Sequence, residues 1–275
     1  MKKISLFMAA VFLTVAALML TVPAKVSAAS EDDMKRTNII YDFGDGSYYA
    51  IQGVTANALL AVNPDGSLYV DAKTREYVPD ISKIHVFVEA LDNQHPRNSD
   101  TLVFTATDGR VVNVTGGTNK RQYMDYNTEA LYIYNGLETG LQEVHAPGYS
   151  VGNTYIEIDV TNQTLYYYEN GEQKMTTPIV TGNTAAGHNS PAGYFYVRAK
   201  NLNQSLVGSN YVSFVNYWMP IKNNSIGIHD ATWRSKFGGS IYKTSGSHGC
   251  INVPLSNMEK LYPMVQVGTP VVVFY

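Results

Sequence analysis

The chain is short of three things, and each shortage closes off a class of function. It has a single cysteine, Cys250, in 275 residues. No disulfide framework inside the chain holds it together, and no CxxC pair offers a structural zinc site or a dithiol redox centre. It has no excess of positive charge: 20 Lys and Arg against 23 Asp and Glu give a net charge of −3. That balance suits nucleic acid poorly, since sequence-independent binding needs clustered bases, and no nucleic-acid partner is expected. Past residue 28 there is no long apolar run, so the remainder is expected to be soluble.

The long apolar run that does exist lies at the start. Lys2 and Lys3 precede an almost unbroken apolar stretch from Leu6 to Val22, and "VSA-A" supplies small residues for cleavage after Ala28. Residues 1–28 therefore read as a secretory signal peptide. A stretch of 17 apolar residues also sits at the lower edge of a membrane span, which leaves an uncleaved anchor open. In either case the rest of the chain is expected outside the cytoplasm. Without the leader and its three lysines, 17 bases face 23 acids, a charge of −6.

What is present in quantity is tyrosine, 21 residues, together with regular turn signals. The fold class expected is mainly β with a few helices, built on mixed sheets. Asp45-Gly46, Asp65-Gly66, Asp108-Gly109 and Asn170-Gly171 are hairpin dipeptides. In "YIEIDV", Tyr155, Glu157 and Asp159 alternate with Ile156, Ile158 and Val160. Further strands are expected over 194–198, 211–220, 226–229 and 270–275. Helical spacing joins Ile81, Ile84, His85, Val88 and Leu91, Asn127 is a candidate cap for "TEALYIYNGL", and Ser256 with Glu259 forms a capping-box pattern. Pro147, Gly148 and Gly152 mark a boundary near 148–153. Residues 30–148 are then a smaller α+β domain and residues 151–275 a β-rich catalytic domain.

Exported proteins usually pair their cysteines, so an unpaired one points to a reactive thiol or an intermolecular bridge. Cys250 lies in "SGSHGCINVP", among hydroxyl, imidazole and glycine neighbours rather than in an apolar run. A thiol becomes a nucleophile when a histidine within hydrogen-bond reach takes its proton. Two histidines qualify. His229 ends the apolar strand "SIGIH" and is the candidate base. His248 sits in the loop Ser247-His248-Gly249-Cys250, whose converging backbone N–H groups suit the oxyanion of an acyl intermediate. Ser247, His248 and Gly249 are read as support for that loop, with the Ser247 carbonyl as one candidate to orient His229. Asp230 is expected to point to the surface. His229, His248 and Cys250 are all zinc-ligand types, but they lack a fourth ligand and any paired spacing, so no metal or other cofactor is expected. A papain-like order fails because no histidine follows the cysteine. A sortase-like site fails because the last arginine, Arg234, precedes it.

Three stretches carry a resemblance. "GIHDATWRSKFGGSIYKTSGSHGCINVP" resembles the signature of the L,D-transpeptidase (YkuD-type) family, in which a histidine precedes Ser-His-Gly-Cys by about twenty residues. "TGNTAAGHNSPAGYFYV" resembles the strand-loop-strand segment of the same family, and the likeness runs over about 155–275. Many members have arginine where this chain has Asn252; the subgroup with Ile-Asn and a tryptophan four residues after the histidine, here Trp233, is more similar. "FTATDGRVVNVTGGTNKRQYMDYNTEALYIYNGL" resembles, more loosely, a peptidoglycan-binding domain found ahead of the catalytic one, with a plain structural spacer as the alternative.

The resemblance implies a cysteine acyltransferase that acts on peptidoglycan stem peptides and forms 3→3 cross-links through a thioester, in cell wall biogenesis and cell shape. It implies Cys250 as nucleophile and His229 as base, with Asn252 and Trp233 contacting substrate. It also implies acylation by carbapenem β-lactams and a place at the cell wall. No protein partner is implied. An L,D-carboxypeptidase using water, or a wall-binding module with a dead site, are the competing expectations.

Overall fold

The computed structural model describes residues 37–208 and 211–275, and the expected leader lies outside the described residues. Residues 37–96 give β1 (Asn38–Asp42), β2 (Tyr48–Ile51), α1 (Gly53–Ala58) and α2 (Ile81–Gln94). Then come β3 (Arg97–Asn98), β4 (Thr101–Thr105), β5 (Val111–Thr115), β6 (Arg121–Met124), α3 (Tyr126–Thr139), β7 (Gln142–His145) and β8 (Tyr149–Ser150). The rest of the chain forms β9 (Tyr155–Asp159), β10 (Thr164–Glu169), β11 (Glu172–Pro178), β12 (Gly193–Tyr196), β13 (Asn201–Val207), β14 (Val212–Lys222) and β15 (Ile226–Asp230). It ends with α4 (Ile241–Ser245), β16 (Ile251–Val253), α5 (Leu255–Met264) and β17 (Pro270–Phe274). The protein is strand-rich with mixed sheets, as its composition suggests.

Turn chemistry sets much of this order. Asp45-Gly46 joins β1 to β2, Asp108-Gly109 joins β4 to β5, and Asn170-Gly171 joins β10 to β11. Asn170 and Gly171 both have positive φ, at 53° and 79°, as a two-residue hairpin turn with the right twist requires. The α2 helix starts where the Asp80 carboxylate accepts the N–H groups of Ser82 and Lys83. Two expected caps differ. Asp125, not Asn127, caps α3 by accepting Thr128 N–H at 3.1 Å. The Ser256–Glu259 box does not form: α5 begins at Leu255, two residues earlier than a Ser256 cap requires, behind Pro254 and with no side-chain cap. Pro254 has φ −55°, so the chain enters the helix already turned and Ser256 falls inside it.

The chain divides into two compact units, 37–96 with 124–149, and 97–123 with 150–275. The first unit is α+β: a sheet of order β2-β1-β7 packs Ile39, Tyr41 and Ile51 against Ile84, Leu91 and Ile133 of α2 and α3. The buried Glu129 accepts hydrogen bonds from Tyr41 OH, His145 Nε2 and Gly148 N–H, each at 2.8 Å.

The second unit stacks a five-stranded sheet, β11-β10-β9-β17-β12, on a four-stranded one, β13-β14-β15-β16. Ile156, Ile158, Val271 and Val273 from the first sheet meet Met219, Ile228, Ile251 and Val253 from the second, with Met258 and Leu261 of α5. The far face of the larger sheet is covered by the β4–β5 hairpin, where Leu102, Phe104 and Val114 pack on Tyr194, Val272 and Phe274. Residues 97–123, placed with the first domain by a single boundary near 148–153, thus pack within the second unit. The reason lies in β9 and β17. Their alternate residues, Val272 and Phe274 on one strand and Glu157 and Asp159 on the other, form a second face that needs a cover.

The hairpin satisfies the acids on that face. Thr107 donates its N–H and hydroxyl to Glu157, and the Arg110 guanidinium pairs with Asp159. Burial pushes the Glu157 carboxyl above its ordinary pKa, and the Thr107 donors pull it back. Both tryptophans, Trp218 and Trp233, lie in this unit, so their fluorescence reports its unfolding alone. Phe104→Ala is expected to destabilise that unit by about 3 kcal/mol, the usual cost of emptying a buried Phe site. The check is the urea midpoint of tryptophan fluorescence; an unmoved midpoint would place the hairpin's packing elsewhere.

Candidate active site

The site grows from one parallel pairing. In β15 and β16, Ile228 lies opposite Ile251, His229 opposite Asn252 and Asp230 opposite Val253. Across β14, Trp218 lies opposite His229. Paired residues share a face, and side chains alternate along a strand. Ile228, Ile251 and Met219 therefore enter the core, while Trp218, His229 and Asn252 turn to the opposite face. Cys250, two residues before Asn252, returns to that same face beside Gly227.

Gly227 has no side chain to give: an added Cβ would lie 2.6 Å from Trp218 Cη2. The indole folds over this gap and joins the two candidate residues. It packs against Cys250 in a cluster with Val215 and Leu206, and its ring centroid lies 5.7 Å from that of His229. The thiol and the imidazole thus sit on adjacent strands, on one face, against one tryptophan.

His229 is 3% exposed, and both ring nitrogens are committed. Nδ1–H donates to the Asp230 carbonyl at 2.7 Å. Nε2 lies 3.2 Å from Asn252 Nδ2. The other end of that amide, Asn252 Oδ1, accepts from Arg234 Nε–H at 2.9 Å, and Arg234 Nη1 is held by the Ser245 carbonyl at 2.6 Å. Since the guanidinium can only donate, the Asn252 NH₂ must face Nε2. Nε2 then carries the lone pair and Nδ1 the proton. Burial holds the His229 pKa below the ordinary histidine value, opposed by the Asp230 carbonyl and charge.

The thiol is also buried. Cys250 is 9% exposed, and its Sγ–H donates to the Ser225 carbonyl at 3.6 Å rather than to the imidazole. Burial pushes its pKa up to about 11, although the Gly227 N–H works the other way. The direct thiol–imidazole hydrogen bond that the expected proton transfer calls for is thus replaced by the Ser225 contact. Both groups lie in a low-dielectric environment that disfavours charge and favours neutral thiol and neutral imidazole at rest.

The loop ahead of Cys250 is pinned on every side. Ser247 N–H donates to the Thr181 carbonyl at 3.0 Å, and the Ser247 carbonyl accepts Asn183 N–H at 2.8 Å. Ser247 Oγ donates to the Cys250 carbonyl at 2.6 Å and accepts Gly249 N–H at 3.0 Å. Gly249 has φ +112°, and a Cβ there would lie 2.7 Å from Ile226 Cδ1, so glycine is required. Among the described residues, the N–H groups of His248 and Cys250 have no acceptor.

Several expected roles change. The carbonyl that orients His229 belongs to Asp230, not Ser247. Asp230 itself is fully buried and accepts Tyr217 N–H and Asn216 Nδ2–H, each at 2.8 Å; the strand pairing turns it inward, not to the surface. Asn252, expected to meet substrate, is 1% exposed and spends its amide on His229 and Arg234. Trp233 is half-exposed, with its ring 5.9 Å from His229. His248 is exposed and lies between the rings of His188 and Tyr211, each at 4.6 Å. Arg234, Trp218 and Tyr211 escaped the sequence reading, because their roles come from cross-strand register and loop packing rather than from local spacing.

Fold and site together define a thiol–imidazole centre on a two-sheet β unit. Residues 153–273 match the YkuD family, the L,D-transpeptidase catalytic domain. A cysteine-to-serine variant of the Enterococcus faecium L,D-transpeptidase is 31% identical, with a TM-score of 0.53, over 91% of this chain and 100% of that one. The Ldtfm–avibactam carbamoyl enzyme is likewise 31% identical, with a TM-score of 0.53, over 90% of this chain and 96% of that one. The catalytic domain of the E. faecium enzyme, solved by NMR, is 48% identical over 44% of this chain and 96% of that one, with a TM-score of 0.41. No curated protein matches the chain. The chain belongs to the L,D-transpeptidase family, and that family makes it a transferase.

Two measurements check the resting state. Iodoacetamide alkylation of Cys250 is expected to accelerate about tenfold per pH unit from pH 7 upward, levelling only near the thiol's raised pKa; a plateau at neutral pH would instead reveal a preformed ion pair. ¹⁵N NMR of the His229 ring at pH 7 is expected to show a neutral imidazole protonated on Nδ1. Because burial lowers its pKa, protonation should begin only below the ordinary histidine range, and a ring charged at pH 7 would refute the assignment.

Proposed function

We propose that the protein is a cysteine-dependent L,D-transpeptidase of peptidoglycan stem peptides. The observation that carries this reading is the placement of the lone thiol and a lone-pair-bearing imidazole on one face of adjacent strands, in the segment that matches the family. The adduct in the Ldtfm–avibactam carbamoyl enzyme is a further support, since it records covalent capture of an electrophilic carbonyl by a relative.

The chemistry runs through Nε2. As Sγ of Cys250 attacks the carbonyl between the third stem residue and a terminal D-alanine, the thiol leaves the Ser225 carbonyl, the Asn252 amide gives up Nε2 of His229, and Nε2 takes the thiol proton. The new S–C bond forms while the carbonyl electrons move to oxygen, where the free N–H groups of the 247–250 loop meet the negative charge. Collapse breaks the C–N bond, and Nε2–H returns its proton to the leaving amine of D-alanine. The side-chain amine of a second stem then attacks the thioester, passes a proton to Nε2, and releases Cys250 as thiol with a 3→3 cross-link made. Water in place of that amine gives carboxypeptidase turnover through the same thioester.

The half-exposed Trp233 and the Tyr211–His248–His188 rings are the aromatic surface nearest the chemistry, and we assign them to the substrate side of the site. The same reading places the protein outside the cytoplasm at the cell wall. It leaves to the first unit the wall-binding role expected of the N-terminal region. Only residues 124–137 of the stretch that carries that resemblance lie in the first unit.

Wild-type protein is expected to release D-alanine from a disaccharide-tetrapeptide and to gain the mass of a carbapenem on exposure to one. Cys250→Ala should lose both by about three orders of magnitude or more, while chelators leave wild-type turnover unchanged. Equal D-alanine release by the two proteins would sink the reading. Loss of activity to a chelator with recovery on adding zinc would support a metal site instead.

A further inference from the structure

Ser190 takes no part in the chemistry above, yet its hydroxyl meets the nucleophile's own peptide. It is 2% exposed. Its Oγ accepts Gly182 N–H at 3.0 Å and donates to the Gly249 carbonyl at 2.7 Å. Its own carbonyl accepts the hydroxyl of Tyr275 at 2.6 Å. The Gly249 carbonyl belongs to the peptide plane that also contains the N–H of Cys250.

We propose that Ser190 is a positioning residue for acylation: its hydroxyl fixes the 249–250 peptide so that the Cys250 N–H meets the developing oxyanion. The inference rests on the transpeptidase reading. That peptide is trans, so its C=O and N–H point in opposite directions. Tethering the carbonyl to Ser190 aims the N–H away from the 182–190 loop. A tether is needed because Gly249, at φ +112°, has no side chain to restrict rotation of the plane.

The neighbouring plane is held differently. Its N–H, that of Gly249, goes to Ser247 Oγ and is withdrawn from the chemistry. Two serines therefore lock two successive peptide planes. One plane hides its donor and the other presents it. Without the Ser190 hydroxyl, the buried Gly249 carbonyl loses its partner and the plane is free to turn toward another donor.

The test separates reactions that form an oxyanion from one that does not. Attack on a carbapenem carbonyl creates a tetrahedral oxyanion; alkylation by iodoacetamide displaces iodide directly and creates none. Removing an oxyanion donor elsewhere costs about a hundredfold or more. Ser190→Ala is thus expected to slow carbapenem acylation, followed by intact mass, by about thirtyfold or more, with alkylation of Cys250 changed less than twofold. Tyr275→Phe, a milder change at a half-exposed residue, should give the same selective loss at about threefold. The proposal is overturned if both reactions fall together in both variants, if neither falls, or if alkylation falls alone. Should wild type itself resist acylation, the transpeptidase reading fails and this inference with it. If wild type and Ser190→Ala acylate equally fast, only the role of Ser190 is lost.

Discussion

The position of one lone pair, on Nε2 of His229, depends on a line of hydrogen bonds that all run the same way. Arg234 Nε donates to Asn252 Oδ1, Asn252 Nδ2 donates to Nε2, and Nδ1 donates to the Asp230 carbonyl. Turning the Asn252 amide over would set an oxygen against a lone pair and an NH₂ against a guanidinium, so two contacts would fail at once. The strand carrying Asp230 is itself held by the bonds of its carboxylate to Asn216 and Tyr217. The tautomer is thus chosen without a carboxylate touching the ring. A carboxylate there would raise the imidazole pKa; a carbonyl and an amide orient the ring and leave it neutral.

The buried thiol has an energetic consequence. With a pKa near 11, full ionisation at pH 7 costs roughly 5 kcal/mol. On the proposed mechanism the proton leaves as the sulfur attacks, and the imidazole has to be neutral and correctly aimed when it does. Burial lowers the pKa of His229 and raises that of Cys250, which favours an unprotonated Nε2 and a protonated thiol. A resting thiolate would be exposed to every oxidant it met, whereas a protonated thiol reacts slowly until its proton is removed.

How far the sequence discloses this arrangement varies from element to element. The β-rich class, the hairpin dipeptides, the α2 helix and the strands around 194–198 and 226–229 are legible because turn residues and alternation are local. Cys250 and His229 are legible because a lone thiol in polar company stands out. The packing place of the hairpin at 101–115 is not, because a polar-looking β9 with Glu157 and Asp159 reads as a solvent face until Thr107 and Arg110 are seen to satisfy it. Asn252 looks like a substrate contact in an exposed-seeming motif, and only the register of β16 against β15 shows that its amide is enclosed. Arg234 and Ser190 lie 18 and 59 residues from the groups they hold, and no spacing rule reaches that far.

The hairpin that covers the larger sheet and the strand it rests on come from opposite ends of the unit. Phe104 rests against Phe274, their rings 5.8 Å apart, although 170 residues separate them along the chain. Contacts of such long range are slow to form, since the entropy of closing a large loop is lost before any of them is gained. Until they form, Tyr194, Val272 and Phe274 stay bare to water and offer a sticky surface to other chains. Assembly of this unit is therefore expected to be the slow and aggregation-prone phase of maturation, and a helper that shields this strip while the hairpin arrives would gain yield without touching the catalytic groups.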